Sequence, residues 1–236
     1  IQTNIIEVSR KFGIKKLLFL GSSCIYPKLS KQPIKEEYLL ESCLEETNQW
    51  YAIAKIAGIK LCESLYIQYG INAISLMPCN LFGPSDNYDL LTSHVLPALI
   101  RKFQTATINN DKEVICWGSG DPLREFLYVD DLAEACIFAL NNWDLTNKDS
   151  PLDTSNKKLT WLNVGSGKEI SIKELAEKIS YLIGYKGKII WDKDKPDGTP
   201  RKLLDTTKIR ALGWEPKVTL TNGIKLAIED YKKNLI

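Results

Sequence analysis

One histidine and one methionine stand among the 236 residues, and neither sign of charge prevails: 31 basic and 29 acidic side chains leave a net of +2. No stripe of cations tracks along the chain. Basic runs such as RKF and YKKNLI are short and scattered, which argues against a nucleic-acid partner. No apolar run approaches the ~20 residues that cross a bilayer, and the opening IQTNIIEVSR lacks the charged-then-apolar order of a signal peptide. Membrane attachment is therefore not expected. Cys24, Cys43, Cys62, Cys79, Cys116 and Cys136 form no C-x-x-C pair, and the single histidine gives them little ligand company. That pattern excludes a structural metal site and fits a reducing cytoplasm.

What is present is an ordinary globular composition, with 44% hydrophobic and 25% charged residues, enough for one large domain or two small ones. The apolar spacing predicts a helix over residues 4–12. KKLLFLGSS then reads as a buried strand ending in small polar residues, and Pro27 and Pro33 hold the next segment open as a loop. Residues 48–69 predict a long helix stopped by Gly70, and INAISLMPCNLFGP predicts one strand running into a loop. Further helices are expected at HVLPALIRKF, DDLAEACIFALNN and SIKELAEKISYLIG, with strands at EVICWGS, REFLYV, WLNVGS and GKIIWD and two more helical segments at the end. Alternation of strand and helix predicts an α/β fold with a parallel sheet.

Two short stretches carry chemistry. GSSCIYP puts the hydroxyl of Ser22 and the thiol of Cys24 directly behind an apolar run, although a free cysteine is also often just a small buried hydrophobe. YAIAK puts Tyr51 and Lys55 one helical turn apart on one face. An ammonium beside a phenol favours the phenolate, so such a pair suits acid–base work; the same spacing also arises on plain helix surfaces. Its company favours chemistry. The strand before it ends in Ser22 and Ser23 and the strand after it ends in PCNLFGP, so the polar groups gather at the carboxyl edge of a parallel sheet, where open α/β sheets bind ligands.

The blocks LLFLGSSCIYP, PIKEEYLL, YAIAKIAGIKLCE, NLFGPSDNYD, SHVLPALIRKF, WGSGDPLREFLYVDDLA and PDGTPRKLLD resemble, in order and spacing, the GDP-L-fucose synthase family of extended short-chain dehydrogenases/reductases. That resemblance implies an NADPH-dependent epimerase-reductase acting on GDP-4-keto-6-deoxy-D-mannose. It makes Ser22, Tyr51 and Lys55 the reductive triad, Cys24 the base and His94 the acid of epimerisation at C3 and C5. It places Leu20, Gly21, Ser22, Ser23, Tyr51, Lys55, Pro78, Cys79, Asn80, Leu81 and His94 beside the cofactor, and Lys102, Trp117, Arg124 and Asp197 against the GDP-sugar. Lysine and arginine suit a diphosphate, and an aromatic face suits a base or sugar ring, although Trp117 would serve equally as core packing. Arg201 and Lys202 are further phosphate candidates. The implied assembly is a homodimer through the helices at residues 1–12 and 48–69.

The resemblance implies the C-terminal part of a Rossmann-like doubly wound parallel sheet plus a smaller α/β substrate-binding domain. Segments 1–83 and 120–142 are assigned to the remainder of the NADP-binding domain, and 84–119 and 143–236 mainly to the substrate domain. Two departures stand out. WGSGDP and VGSGKE are G-x-G pairs without the third glycine of a dinucleotide loop, so the first βα units of the family are read as absent and the chain as a fragment or split product, to be completed by a separately encoded N-terminal portion. Cys79 stands where the family usually has threonine, a weaker hydrogen-bond donor in place of a hydroxyl. Alternative readings are another nucleotide-sugar epimerase or dehydratase, which Cys24 and His94 together oppose, and a non-catalytic remnant that pairs with a partner chain.

Overall fold

The computed structural model describes residues 1–233. In chain order its elements are α1 (Gln2–Lys11), β1 (Lys16–Leu20), α2 (Gln49–Tyr69), β2 (Asn72–Pro78), β3 (Asn80–Phe82), α3 (Val95–Asn109), β4 (Glu113–Trp117) and β5 (Leu123–Tyr128). There follow α4 (Val129–Asn142), β6 (Trp161–Val164), β7 (Glu169–Ser171), α5 (Ile172–Ile183), β8 (Lys188–Asp192), β9 (Arg201–Lys202), α6 (Thr207–Ala211) and α7 (Leu220–Lys233). Contacts divide the chain into two interleaved units. The first takes residues 1–79, 131–167 and 203–216; the second takes 80–130, 168–202 and, of the described residues, 217–233.

In the first unit β1, β2 and β6 form a parallel sheet in that order, with Leu18 opposite Ile74 and Met77 opposite Asn163. The central strand β2 is buried along its whole length, as a nearly unbroken apolar run requires. Helix α2 ends where Gly70 turns left-handed at φ +67°, its N–H satisfying the last helical carbonyls. Glycine acts a second time within α2: a Cβ on Gly58 would meet the Phe19 ring at 2.5 Å, so the bare backbone lets the helix approach β1 closely. Ile6, Cys62, Leu65 and Ala73 form a core cluster of this unit, joined by Phe19 and Leu61.

In the second unit β5 pairs in parallel with β3 and β9 and antiparallel with β7, while β4 and β8 form a separate parallel pair. Its core gathers Phe82, Phe103, Phe126, Ile179 and Ile228, with Phe82 edge-on to both Phe126 and Tyr128. A reciprocal Ser171–Glu174 capping box starts α5.

The architecture is α/β as expected, with three differences. The run INAISLMPCNLFGP is two strands, because β2 pairs with β1 and β6 whereas β3 pairs with β5. The antiparallel β7 interrupts the parallel pattern. The division of the chain also departs from the expected partition. Residues 143–167 and 203–216 join the first unit because β6 hydrogen-bonds to β2 and α6 packs on β6, and residues 80–83 and 120–130 join the second because β3 pairs with β5.

Candidate active site

The first unit assembles four of the expected groups at the carboxyl end of β1. Leu20 closes the strand, and the Gly21 N–H donates to the Leu76 carbonyl at 2.9 Å, which carries the chain over the top of β2. Ser22 then caps a single 3₁₀ turn, Ser23–Ile25, its hydroxyl oxygen accepting the Cys24 backbone N–H at 3.2 Å. Ser22 and Cys24 are half-buried, whereas Ser23 is buried within the turn. Helix α2 packs against this turn.

That packing delivers the pair from α2. The Lys55 ammonium donates to the Leu20 carbonyl oxygen at 2.8 Å and lies 5.2 Å from the centre of the Phe19 ring and 5.8 Å from that of Tyr51. Burial lowers the Lys55 pKa from its usual range, since leaving water disfavours the charged form. Tyr51 is 45% exposed, so its phenol is open to solvent. An ammonium has three donors, and the Leu20 carbonyl engages one. The other two suit hydroxyls such as those of a ribose, and this donor set fits the expected dinucleotide.

Pro78 ends β2, and the buried Cys79 donates its backbone N–H to the Val164 carbonyl at 2.9 Å. Asn80 and Leu81 belong to β3 of the second unit, where the Asn80 side-chain amide donates to the Glu125 carbonyl at 2.7 Å. His94 is exposed at the N-cap position of α3. Burial raises the pKa of the neighbouring Asp86 carboxyl, opposed by the Asn87 N–H and by the charge of nearby His94.

The second unit brings the expected sugar-nucleotide contacts into one neighbourhood. Trp117 is 58% exposed, which removes core packing as its role. The Lys102 and Lys195 ammonium groups lie 5.3 Å and 5.7 Å from its ring centre, within cation–π range. Lys102 also donates to the Ile115 carbonyl at 2.9 Å, and together with Arg101, Thr105 and Trp117 it lines a groove of about 560 Å³. Asp197 serves the turn after Trp117: its carboxylate accepts the Ser119 N–H at 2.7 Å and the Ser119 hydroxyl at 2.9 Å. Arg124 Nη1 donates to the Leu123 carbonyl at 2.9 Å. Arg201 makes a bidentate pair with Glu169 at 2.7 and 2.8 Å, so a phosphate would have to compete for its fork.

Lys195 beside Trp117 and Ser119 beneath Asp197 went unnoticed in the sequence. Strand alternation offered a signal for the tryptophan, since Val114 and Cys116 point inward and Trp117 therefore outward. Among the described residues no group of three or more His, Cys, Asp or Glu side chains could hold a metal ion, and no helix is long and apolar enough to cross a membrane.

Comparison with known proteins gives the family. Residues 1–150 match the NAD dependent epimerase/dehydratase family. The chain is 53% identical to GDP-L-fucose synthase 1 of Arabidopsis thaliana, over all of this chain and 69% of that protein. It is 50% identical to GDP-L-fucose synthase of Escherichia coli K12, over 99% of this chain and 72% of that one. Among solved structures, the GDP-mannoheptose C4 reductase MlghC of Campylobacter jejuni with NADP bound superposes with a TM-score of 0.86 at 37% identity, covering 98% of this chain and 74% of that one. The chain therefore belongs to the NAD dependent epimerase/dehydratase family and, within it, to the GDP-L-fucose synthase family.

Proposed function

We propose that the protein converts GDP-4-keto-6-deoxy-D-mannose to GDP-L-fucose, epimerising C3 and C5 of the sugar and then reducing C4. The observation that carries this reading is the local order at β1: a capping serine, a thiol two residues on, and a Tyr–Lys pair whose lysine is tied to the same strand end through Leu20. NADPH, when bound, supplies the hydride for C4.

Ser22 uses its oxygen to accept the Cys24 N–H, which leaves its hydroxyl proton to donate to the C4 carbonyl oxygen. Tyr51 gives its phenolic proton to that oxygen as negative charge develops there. Lys55, anchored on Leu20, directs its remaining N–H donors to the nicotinamide ribose and keeps positive charge beside the phenol. In the preceding step the C4 ketone acidifies the protons on C3 and C5. Cys24 removes each as a thiolate, which forms far more readily than an alkoxide, and His94 returns a proton to the opposite face. Lys102, Arg124 and the Trp117 ring hold the GDP moiety, the cations on the diphosphate and the ring against base or sugar. Asp197 acts there through the Ser119 turn.

The protein works as a homodimer through α1 and α2. The first exposes Ile5 and Val8, with Phe12 just past its end, and the second exposes Trp50 and Ile53, a set of large apolar side chains that suits a partner surface. Its scattered thiols, including the exposed Cys43, suit a reducing cytoplasm. Incubation with GDP-4-keto-6-deoxy-D-mannose and NADPH in heavy water tests the assignment. Substrate-dependent NADPH oxidation with deuterium entering C3 and C5 is expected, and oxidation without deuterium uptake would remove the epimerase half.

A further inference from the structure

Behind the Ser22–Cys24 turn lies a buried polar network that no step above uses. Tyr26 follows the turn directly; it is buried, and its hydroxyl donates to the Asn163 side-chain oxygen at 2.6 Å. Asn163, fully buried on β6, donates its side-chain N–H groups to the Ile34 carbonyl at 2.9 Å and the Asp205 carbonyl at 3.2 Å. Its backbone N–H donates to Glu36 Oε1 at 3.0 Å. Glu36, only 1% exposed, receives the Lys208 ammonium on Oε2 at 3.0 Å, and Lys208 also reaches Glu37 Oε1 at 2.8 Å. The Trp161 indole N–H closes the set on the Glu36 carbonyl at 3.2 Å.

Such a network is a poor way to obtain stability alone. A buried ion pair loses hydration that its own attraction only partly restores, and well-packed apolar residues of similar volume often serve as well or better. What it supplies is a unique arrangement, because every member has a directional partner. Burial raises the Tyr26 pKa well above its usual value, which keeps the hydroxyl protonated and donating. The turn is thus fixed at both ends, by the Gly21 N–H on Leu76 in front and by Tyr26 on Asn163 behind. Ile25 between them is fully buried.

We propose that Tyr26, Asn163, Glu36 and Lys208 are positioning residues that set the orientation of the Ser22–Cys24 turn, and through it the approach of the Cys24 thiol to the sugar. This rests on the roles given above to Ser22 and Cys24. Tyr26→Phe removes one hydroxyl from the network, and Lys208→Met removes its cation, with Lys208→Arg as the conservative rescue. The first readout is iodoacetamide alkylation of Cys24, measured by peptide mass spectrometry against the exposed Cys43 in the same molecule. The second is deuterium uptake at C3 and C5.

Both variants are expected to melt cooperatively yet change the Cys24-to-Cys43 alkylation ratio by about threefold or more, and to lower kcat for exchange by about tenfold with KM little altered, as a small misplacement of a reacting group does. Lys208→Arg is expected to recover both readouts. Folded Tyr26→Phe and Lys208→Met proteins with the wild-type alkylation ratio would overturn the proposal. Should wild-type protein show no exchange, it is the proposed function that fails, and the alkylation ratio alone still decides the network.

Discussion

Ser22 Oγ accepts the backbone N–H of Cys24 at 3.2 Å, so the hydroxyl assigned to the reductive step also holds the thiol assigned to the epimerase step. Under those assignments the two half-reactions share a side chain. Ser22→Ala is therefore expected to slow both NADPH oxidation and deuterium uptake, and to cost about 0.5–2 kcal/mol of stability as other lost caps do. Parallel assays of the two steps with a urea melt check this; a variant impaired in reduction with wild-type exchange would separate the roles.

Tyr51→Phe is expected to behave differently. The phenol lies beside Lys55, and its assigned proton goes to C4 rather than to C3 or C5. Reduction should fall by about a hundredfold or more, in the range of lost general acids. Deuterium exchange should persist near the wild-type rate. Equal losses in both assays would remove Tyr51 from its role as the C4 acid.

Gly58→Ala tests how Lys55 reaches its carbonyl. The new methyl would sit 2.5 Å from the Phe19 ring, and overpacking of this kind costs about 1–3 kcal/mol. A melting temperature lower by roughly 2–4 °C per kcal/mol is expected for a chain of this size. Because the displaced helix also carries Lys55, a raised KM for NADPH should accompany the shift. An unchanged melting temperature would show that the ring moves aside freely.

Burial pushes the Cys62 and Cys116 thiols up from 9.0 to about 11. Between those values the unfolded chain gives up protons that the native state retains, so stability falls as pH rises through that window and is fully present below it. Urea midpoints at about pH 8 and about pH 10 should show the decline, and Cys62→Ala should flatten part of it. The comparison with the variant isolates the thiol from buried Tyr26 and half-buried Tyr88, which shift in the same direction, and from Lys55, which opposes them. Identical pH slopes in the variant and the wild type would refute the assignment to Cys62.

Much of the scaffold was legible because it is written locally. The end of α2 at Gly70 and the strand KLLFL are matters of period and of a residue that tolerates a left-handed turn. The break at Cys79 was not legible, since it marks a change of hydrogen-bonding partner and no local pattern records which strand lies next door. Strands of two and three residues, β9 and β7, likewise exist only through β5. In the site, Tyr51 and Lys55 were readable from helical spacing. Glu36 was not. Its sequence neighbours are charged, and only Lys208, 172 residues away, together with the Asn163 amide, makes its burial tolerable.

The chain crosses between its two units at residues 79/80, 130/131, 167/168, 202/203 and 216/217, and this threading governs how the protein is made. The central strand β2 waits for β6, some eighty-six residues downstream of it as Ser75 pairs with Trp161, before its second edge is covered. At roughly 5–20 residues per second of synthesis, that apolar strand spends seconds on the ribosome with one side open. Neither unit can finish folding until most of the chain has emerged, so contacts are predominantly between distant residues and folding is slow relative to a helical bundle of equal size. The same threading means that a protease cutting any one linker leaves the segments of each unit still packed together: nicked protein should stay together until denatured.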